Sequence, residues 1–445
     1  FPSTTKNGGK LELLRSFAST RTSTSTSTST CNKAICNNKD SSSKSQNDMN
    51  VGTPQADHKL IQPQILLPNP AFHNKSAIKS IASEMHSKGF ATTEHVSSGP
   101  ILSPAICQIL KEEVIPNLFR GNFDTGIYPD EWHWREGISR NDAAREMCNS
   151  WKSSRKIASI VLHEQLGNFI AEVMGWESVG VRLAQDDIVW KPPQSLSEES
   201  HRLKDGDEQN GNEIETSTRR RIDTVGFHQD SAYISTQFEP YENNSVTVWM
   251  ALDDADEENG CLEYAVGSHH WRPILHNLVS EGKKCTDDIQ DDGNSHSDIN
   301  ISSFHGSDDS SYRNGLHDAA IAAGFGEHNM ENIFSTIESV PVRMGHAVLH
   351  HQDVWHGSGP NLSSTRHRRA LVAHYIRGDV KFADDQGVDD QPFGKSSYIY
   401  GRYKRYRSNV VDETFFPIVY GARGTCEGAE KRLIRTSWIN RFVAS

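Results

Sequence analysis

The stretch Thr224-Val225-Gly226-Phe227-His228-Gln229-Asp230 decides how this chain is read. On an extended segment residues i and i+2 point to the same side, so His228 and Asp230 can grip one ion while Gln229 faces away. A third ligand must come from elsewhere in the fold, and the distant His356 supplies a second imidazole. Two imidazoles and one carboxylate on one face of a metal leave other coordination positions open, a donor set that suits mononuclear Fe(II).

The tripeptide occurs twice. In the second copy, His351-Gln352-Asp353, the near partner is His356 itself, too close in sequence to place a third ligand on a separate strand. The first copy is therefore read as the site. After His356 the run Gly357-Ser358-Gly359-Pro360-Asn361 is a turn. The next strand reads Arg368-Arg369-Ala370-Leu371-Val372-Ala373-His374-Tyr375. A guanidinium entering from that strand can take a carboxylate in a two-pronged hydrogen bond, as the distal end of 2-oxoglutarate requires. Arg366 and Arg369 compete with Arg368 for that role; alternation puts Arg366, Arg368, Ala370 and Val372 on one face and Arg369 on the other.

With these segments in place the chain resembles the phytanoyl-CoA dioxygenase family of Fe(II)- and 2-oxoglutarate-dependent oxygenases. The resemblance rests on Lys191-Pro192-Pro193, His228-Gln229-Asp230, Val248-Trp249-Met250-Ala251-Leu252, Asn259-Gly260-Cys261-Leu262, Gly267-Ser268-His269 and His356-Gly357-Ser358-Gly359-Pro360-Asn361, across roughly residues 76 to 380. It implies a mainly β fold with a double-stranded β-helix core (a jelly roll, cupin-like) and flanking α-helices. It also implies that His228, Asp230 and His356 hold iron, that Arg368 and Ser358 hold the distal carboxylate of 2-oxoglutarate, and that O2 is consumed, with ascorbate in support. By the same resemblance Trp249 becomes a pocket wall, although a core Trp is expected on that apolar strand anyway. Lys152, in Asn149-Ser150-Trp151-Lys152, falls where the family places a lysine that contacts 2-oxoglutarate.

Composition sets the bounds. Of 445 residues 35% are hydrophobic, and a mean hydropathy of −0.63 says that much of the chain is not core. Residues 1–73 read as a low-complexity, disordered tail, with an alternating Ser/Thr tract from Thr22 to Thr30. Arg and Lys outnumber acids in its first part, so a transit-peptide-like leader stands beside an ordinary tail. No stretch has the length of a membrane span. A formal net charge of −12 argues against a nucleic-acid partner. Seven cysteines are scattered without a C-x-x-C, which suits a reducing compartment better than a disulfide framework.

The periodicity predicts one dioxygenase domain over 74–420 and a C-terminal extension over 421–445. A helix is expected from Asn74 to Gly89, then a strand over Phe90 to Val96, a helix capped by Ser103-Pro104, and a helix from Ser154 to Met174. Strands are expected at Val179–Lys191, Thr224–Tyr233, Ser245–Leu252, Cys261–Val266, Ser339–His350, Arg368–Ile376 and Phe415–Tyr420. Many short strands without βαβ alternation indicate a jelly roll. Insertions at 194–223 and 280–338, rich in polar residues, read as disordered excursions or lids. The histidines of the second insertion, His296, His305, His317 and His328, match no ligand spacing.

Several residues keep two readings. The segment Tyr398 to Arg407 interleaves cations and aromatics, to meet the phosphates or adenine of a coenzyme A thioester or to form a solvated edge strand, the favoured reading. Residues 122–140, with Tyr128, Trp132, His133 and Trp134, read as a pocket rim or a packed aromatic cluster. Lys191 is expected at the surface, and His346 near the pocket mouth. The activity these readings imply is hydroxylation of a small-molecule or acyl-thioester substrate with release of succinate and CO2, Asp230 favouring hydroxylation over halogenation. A catalytically silent jelly-roll module, or a desaturase or ring-forming oxidase, is the alternative. Substrate and oligomeric state are not encoded legibly.

Overall fold

Antiparallel strands in two main sheets organise the chain in this computed structural model, which describes residues 74–94, 100–194, 224–271, 314–322, 333–383, 398–405 and 407–421. All belong to one unit, Gln62–Ser445. The tail 1–73, the insertion after Gln194, most of 280–338 and the extension beyond 421 lie outside the described residues.

Helix α1 (Lys75–Lys88) starts because the Asn74 side chain accepts from the Ser76 and Ala77 amides, and ends at Gly89 in the left-handed region. Its buried Ile78, Ile81 and Met85 follow the expected spacing. Ser103 caps α2 (Pro104–Ile109), which runs on through a π-turn into α3 (Ile115–Phe119). The single helix expected over Ser154 to Met174 is two: α4 (Arg155–Val161) and α5 (Glu164–Met174). The break falls where His163 leaves helical geometry and its ring accepts from the Gln165 amide, capping α5.

The large sheet has the order β1 (Phe90–Thr92), β10 (Ala347–His351), β7 (Ser245–Ala251), β12 (Arg368–Arg377), β4 (Val181–Lys191), β3 (Arg145–Cys148), β2 (Glu131–Trp132), with β14 (Ile418–Tyr420) also paired to β4. The smaller sheet has the order β5 (Val225–His228), β11 (His356–Ser358), β8 (Leu262–Ala265), β9 (Ile337–Val340). A two-stranded pair joins β13 (Lys381–Phe382) to β6 (Phe238–Glu239). This is the jelly-roll-like, strand-rich architecture with helices that the strand pattern predicts.

Register fixes what each face of the large sheet carries. Arg368 pairs with Lys191, Ala370 with Val189 and Val372 with Asp187, while on the other side of β12 Ala370 pairs with Ala251, Val372 with Trp249 and His374 with Thr247. Alternate residues Met147, Ile188, Met250, Leu371, Ala373 and Tyr375 belong to the main core together with helical residues such as Ile81, Leu110, Ile157 and Phe169. The other face meets the small sheet: Trp249, Ala251, Val348, Ala370 and Val372 pack with Leu262 and Tyr264. Polar residues on that inner face occupy the space between the sheets, and there the candidate site forms.

Three further expectations change. The strand predicted over Ser339–His350 is two strands, because Gly345 has φ +87° and a Cβ there would sit 2.4 Å from the Leu102 carbonyl oxygen. The segment from Tyr398 is not an edge strand: Tyr398–Gly401 is a helical turn, with Tyr400 buried against Phe238 and Phe416. The described part of 280–338 is not a bare excursion either. Helix Asn314–Ala322 packs behind β5, with Leu316 buried against Phe227 and Ala265.

Candidate metal centre

Strand β5 ends at His228, Gln229 remains extended (φ −118°, ψ 133°), and Asp230 opens a 3-10 turn. The strand expected to run to Tyr233 thus stops early, yet the extended Gln229 preserves the i, i+2 relation. Gln229 turns the other way and donates to the Asp353 carbonyl. Opposite, β11 begins at His356, paired directly with His228. The structure therefore brings His228, Asp230 and His356 together, their donor atoms within 4.8 Å of one another. Nε2 of His228 lies 3.6 Å and Nε2 of His356 3.7 Å from Asp230 Oδ1.

The imidazoles are oriented by their other nitrogens. Nδ1 of His228 is 2.7 Å from the Gly226 carbonyl oxygen, and Nδ1 of His356 is 3.0 Å from that of Val354. A carbonyl only accepts, so each Nδ1 carries a proton and each Nε2 is turned toward Asp230, as a lone pair where the ring is neutral. Burial, with His350 and His228 close by, pushes the His356 imidazolium form well below the usual range and keeps the ring neutral. Lone pairs converging on a carboxylate without a proton between them repel unless a cation joins them, so the donor set fits a bound metal.

Asp230 divides its two oxygens. Oδ1 faces the histidines, while Oδ2 accepts from the Thr247 hydroxyl and from His350 Nε2 at 3.0 Å, with His374 Nδ1 at 3.5 Å. Burial alone would raise this carboxyl; His356, His228, His350 and His374 instead hold it well below the ordinary range, ionised. Tyr264 donates to His350 Nδ1 at 2.8 Å, and His374 Nε2 donates to Asp187 at 3.0 Å. Burial opposes charge on His374, but Asp187 and Asp230 raise it to about 10. Sequence reasoning missed Thr247, Tyr264, His350 and His374. The available signal was alternation: His374 shares a face with Arg368, and an inward histidine on an apolar strand needs a partner.

At one end of the inner face stands Arg368, 1% exposed. Its Nε donates to the Gly260 carbonyl and its Nη2 to Ser358 Oγ, and its guanidinium lies 5.4 Å from the Trp249 ring centroid. Among the described residues no carboxylate pairs with it, and burial lowers it to about 10. Gly260, at φ +79°, lets the chain reach it: a Cβ there would meet the Gly359 carbonyl oxygen at 2.5 Å. The rival arginines are engaged elsewhere, Arg366 by Asp256 and Glu258 and Arg369 by Asp253. Lys191 is not a surface lysine; it is 2% exposed and donates to Ser358 Oγ at 2.7 Å and to the Gly359 carbonyl. Two buried cations thus meet at one serine hydroxyl.

Other expected site residues fall apart from this cluster. Lys152 is held by Asp130 at 2.8 Å and by the Tyr403 hydroxyl, away from Arg368 and Ser358. His346 faces Thr93, Glu94 and Arg343. Of the second H-Q-D, Gln352 locks the Asn244 and Ser245 amides and Asp353 accepts from Tyr241, both structural bonds. The 122–140 segment splits: Trp134 packs on Phe119, Tyr128 is exposed, and His133 pairs with Glu131. Of the four insertion histidines only His317 is among the described residues.

Fold and donor set together define the class: a β-sandwich whose two sheets enclose a His-x-Asp and distal His cluster. The likeness to a particular family comes from sequence: residues 216–370 match the family model described as Phytanoyl-CoA dioxygenase (PhyH). Over these residues the chain is similar to that family of Fe/2-oxoglutarate oxygenases, for which iron and 2-oxoglutarate are cofactor and co-substrate. No curated protein sequence matches it. Among solved structures it is similar to the epimerase SnoN from nogalamycin biosynthesis in complex with Fe3+, alpha ketoglutarate and nogalamycin RO (16% identity, 77% of this chain and 99% of that chain, TM-score 0.44). The carbocyclase SnoK from the same biosynthesis matches at 18% identity over 78% of this chain and 97% of that chain, TM-score 0.44. EctD from S. alaskensis in its apoform matches at 13% over 77% and 86%, TM-score 0.41.

Proposed function

We propose that this chain is a dioxygenase that hydroxylates a small-molecule or acyl substrate, using His228, Asp230 and His356 as iron ligands. The observation that carries the reading is the pair of backbone-locked histidines whose Nε2 atoms converge on Asp230 Oδ1. Bound iron supplies the redox chemistry that couples O2 and 2-oxoglutarate, oxidised to succinate and CO2, to oxidation of a substrate C–H bond.

The protein's own groups position the reactants. Arg368 and Ser358 take the distal carboxylate of 2-oxoglutarate, which answers the otherwise unpaired buried guanidinium, and Lys191 adds charge on the same serine. Trp249 walls that pocket. Thr247, His350 and His374 hold Asp230 in place and deprotonated, so the carboxylate is ready to ligate without losing a proton first. Lys152, tied to Asp130 and Tyr403, supports the structure around β2 and β3.

The test is succinate release from 2-oxoglutarate by the Fe(II)-loaded protein with ascorbate, screened against a metabolite extract. Substrate-stimulated succinate that disappears in His228→Ala supports the reading. Zinc as the bound metal, or metal without affinity for 2-oxoglutarate, points to a silent binding module and refutes it.

A further inference from the structure

A line of hydrogen bonds runs from Asp230 across three strands of the large sheet. His374 on β12 pairs with Thr247 on β7 to one side and with Gln185 on β4 to the other, and Val372 pairs with Asp187. Their inward side chains meet in order. The Thr247 hydroxyl contacts Asp230 Oδ2, and His374 Nδ1 lies 2.8 Å from Thr247 Oγ1. On the other side of the ring, His374 Nε2 lies 3.0 Å from Asp187 Oδ2, and Gln185 Nε2 lies 2.9 Å from Asp187 Oδ1. Tyr400 closes the far end, its hydroxyl donating to Gln185 Oε1 at 3.3 Å. Every one of these side chains is buried.

The direction of each bond follows from what its two ends can do. A carboxylate only accepts, so His374 Nε2 carries a proton for Asp187. Ionised Asp230 likewise only accepts, so the single Thr247 proton lies toward Oδ2 and Oγ1 is left to accept. His374 Nδ1 must then donate to Oγ1. Both ring nitrogens are protonated, and the ring is an imidazolium held between two carboxylates. His350 supplies the contrast. Its Nε2 also donates to Asp230 Oδ2, at 3.0 Å, but its Nδ1 faces the Tyr264 phenol, which supplies the proton for that bond. One proton suffices on that ring. The two histidines that support Asp230 are thus told apart by the group standing behind each.

We propose that Asp187 is a positioning residue for the metal ligand Asp230, acting through His374, an assignment that rests on the reading of Asp230 as a ligand. Asp187 touches neither the triad histidines nor Asp230 in any hydrogen bond among the described residues; its effect passes through the ring between them. Its charge fixes the second proton on His374, which places a cation 3.5 Å from Asp230 Oδ2 and leaves Oδ1 turned toward His228 and His356. Gln185, itself oriented by Tyr400, holds the other oxygen of Asp187 and so aims the carboxylate at the ring. An uncharged amide at position 187 needs only one proton on the imidazole. The shape of the site is then unchanged, but the charge behind Oδ2 is gone, and Asp230 is held less firmly in its ionised, ligating form.

The experiment has two arms on the full chain. In the first, metal-free protein labelled with 15N at histidine is studied by NMR at neutral pH, the His374 ring being identified by its loss in His374→Gln. Two protonated ring nitrogens in wild type and one in Asp187→Asn are expected; one in wild type overturns the proposal. In the second, the Mn(II) dissociation constant is read from the electron paramagnetic resonance of the free ion. Asp187→Asn should weaken binding about tenfold. Adding Asp187→Asn to His374→Gln should change the constant by less than about twofold, because the ring that transmits the effect is already gone. An unchanged constant in a folded Asp187→Asn, or a loss that adds in full to that of His374→Gln, makes Asp187 a structural residue and overturns the proposal. If Asp187→Asn does not fold, the ring of wild type and the constant of His374→Gln decide: a single ring proton, or Mn(II) bound as in wild type, overturns it. An unaltered constant in Asp230→Ala overturns the ligand reading of Asp230 instead, a result separate from the ring protons because those are counted without metal.

Discussion

Replacing Arg368 with Met separates a co-substrate anchor from a structural arginine. Burial takes the guanidinium from its ordinary range to about 10, a cost on the order of 3 kcal/mol that no carboxylate among the described residues offsets. Removing the charge relieves that cost but leaves the Gly260 carbonyl without its donor, a loss of about 1–3 kcal/mol. The two nearly cancel, so the metal-loaded Arg368→Met protein should unfold within a few degrees of wild type. Binding behaves differently. Two charge-assisted hydrogen bonds to the distal carboxylate disappear, worth together about 3 kcal/mol or more, which weakens 2-oxoglutarate on the order of a hundredfold. At a concentration of roughly a hundred times the wild-type Kd, the co-substrate stabilises wild type by about 2.7 kcal/mol. The variant, then near its own Kd, gains only about 0.4 kcal/mol by the same relation. Anaerobic thermal unfolding with and without 2-oxoglutarate measures both quantities. A large drop in unfolding temperature with the ligand-induced gain intact would refute the reasoning and make Arg368 structural.

Other outcomes follow from the same contacts. His228→Ala and Asp230→Ala should each lose bound metal by elemental analysis while the fold persists by circular dichroism; full metal content in both excludes the triad. Lys191→Met should weaken 2-oxoglutarate about tenfold through loss of a charge beside Ser358, whereas Lys152→Met should leave it within about threefold, as isothermal titration can show. The imidazolium of His374, raised to about 10 between two carboxylates, predicts a pH effect. Its folded pKa exceeds the unfolded value of about 6.5, so the stabilisation is complete below that pH and drains away as pH rises toward 10. In metal-free protein, denaturation of wild type and His374→Gln should therefore converge at high pH; parallel curves would show that His374 is neutral.

The parts of this site legible in the sequence are those governed by short-range geometry. His228 and Asp230 share a side because one extended residue separates them, and that holds even though the strand ends at His228. Arg368 could be ranked against Arg366 and Arg369 only partly by alternation, because Arg366 shares its face by that count; what removes Arg366 is pairing with Asp256 and Glu258 across a turn. Burial of Lys191 was opaque for the same reason. Nothing local says that a lysine before two prolines meets a serine from β11. The helical turn at Tyr398–Gly401 replaced an expected strand because the core formed with Phe238, Phe382 and Phe416 takes in Tyr400, and that core is assembled from distant segments.

The surrounding hydrogen bonds explain why the triad tolerates so much buried charge. Asp230 alone would be costly between two apolar sheets. Its Oδ2, however, receives donors from three strands of the large sheet, Thr247 on β7, His350 on β10 and His374 on β12, while Oδ1 faces the two histidines of the small sheet. The carboxylate therefore sits where both sheets must be in register for its charge to be paired. A slip of one residue in β12 would turn His374 outward together with Arg368, because both lie on the same alternating face. The His374 support of the candidate metal ligand Asp230 and the proposed co-substrate anchor Arg368 share the register of β12, so a substitution that shifts β12 should reduce metal and 2-oxoglutarate affinity together, and one that perturbs only β3 should spare both.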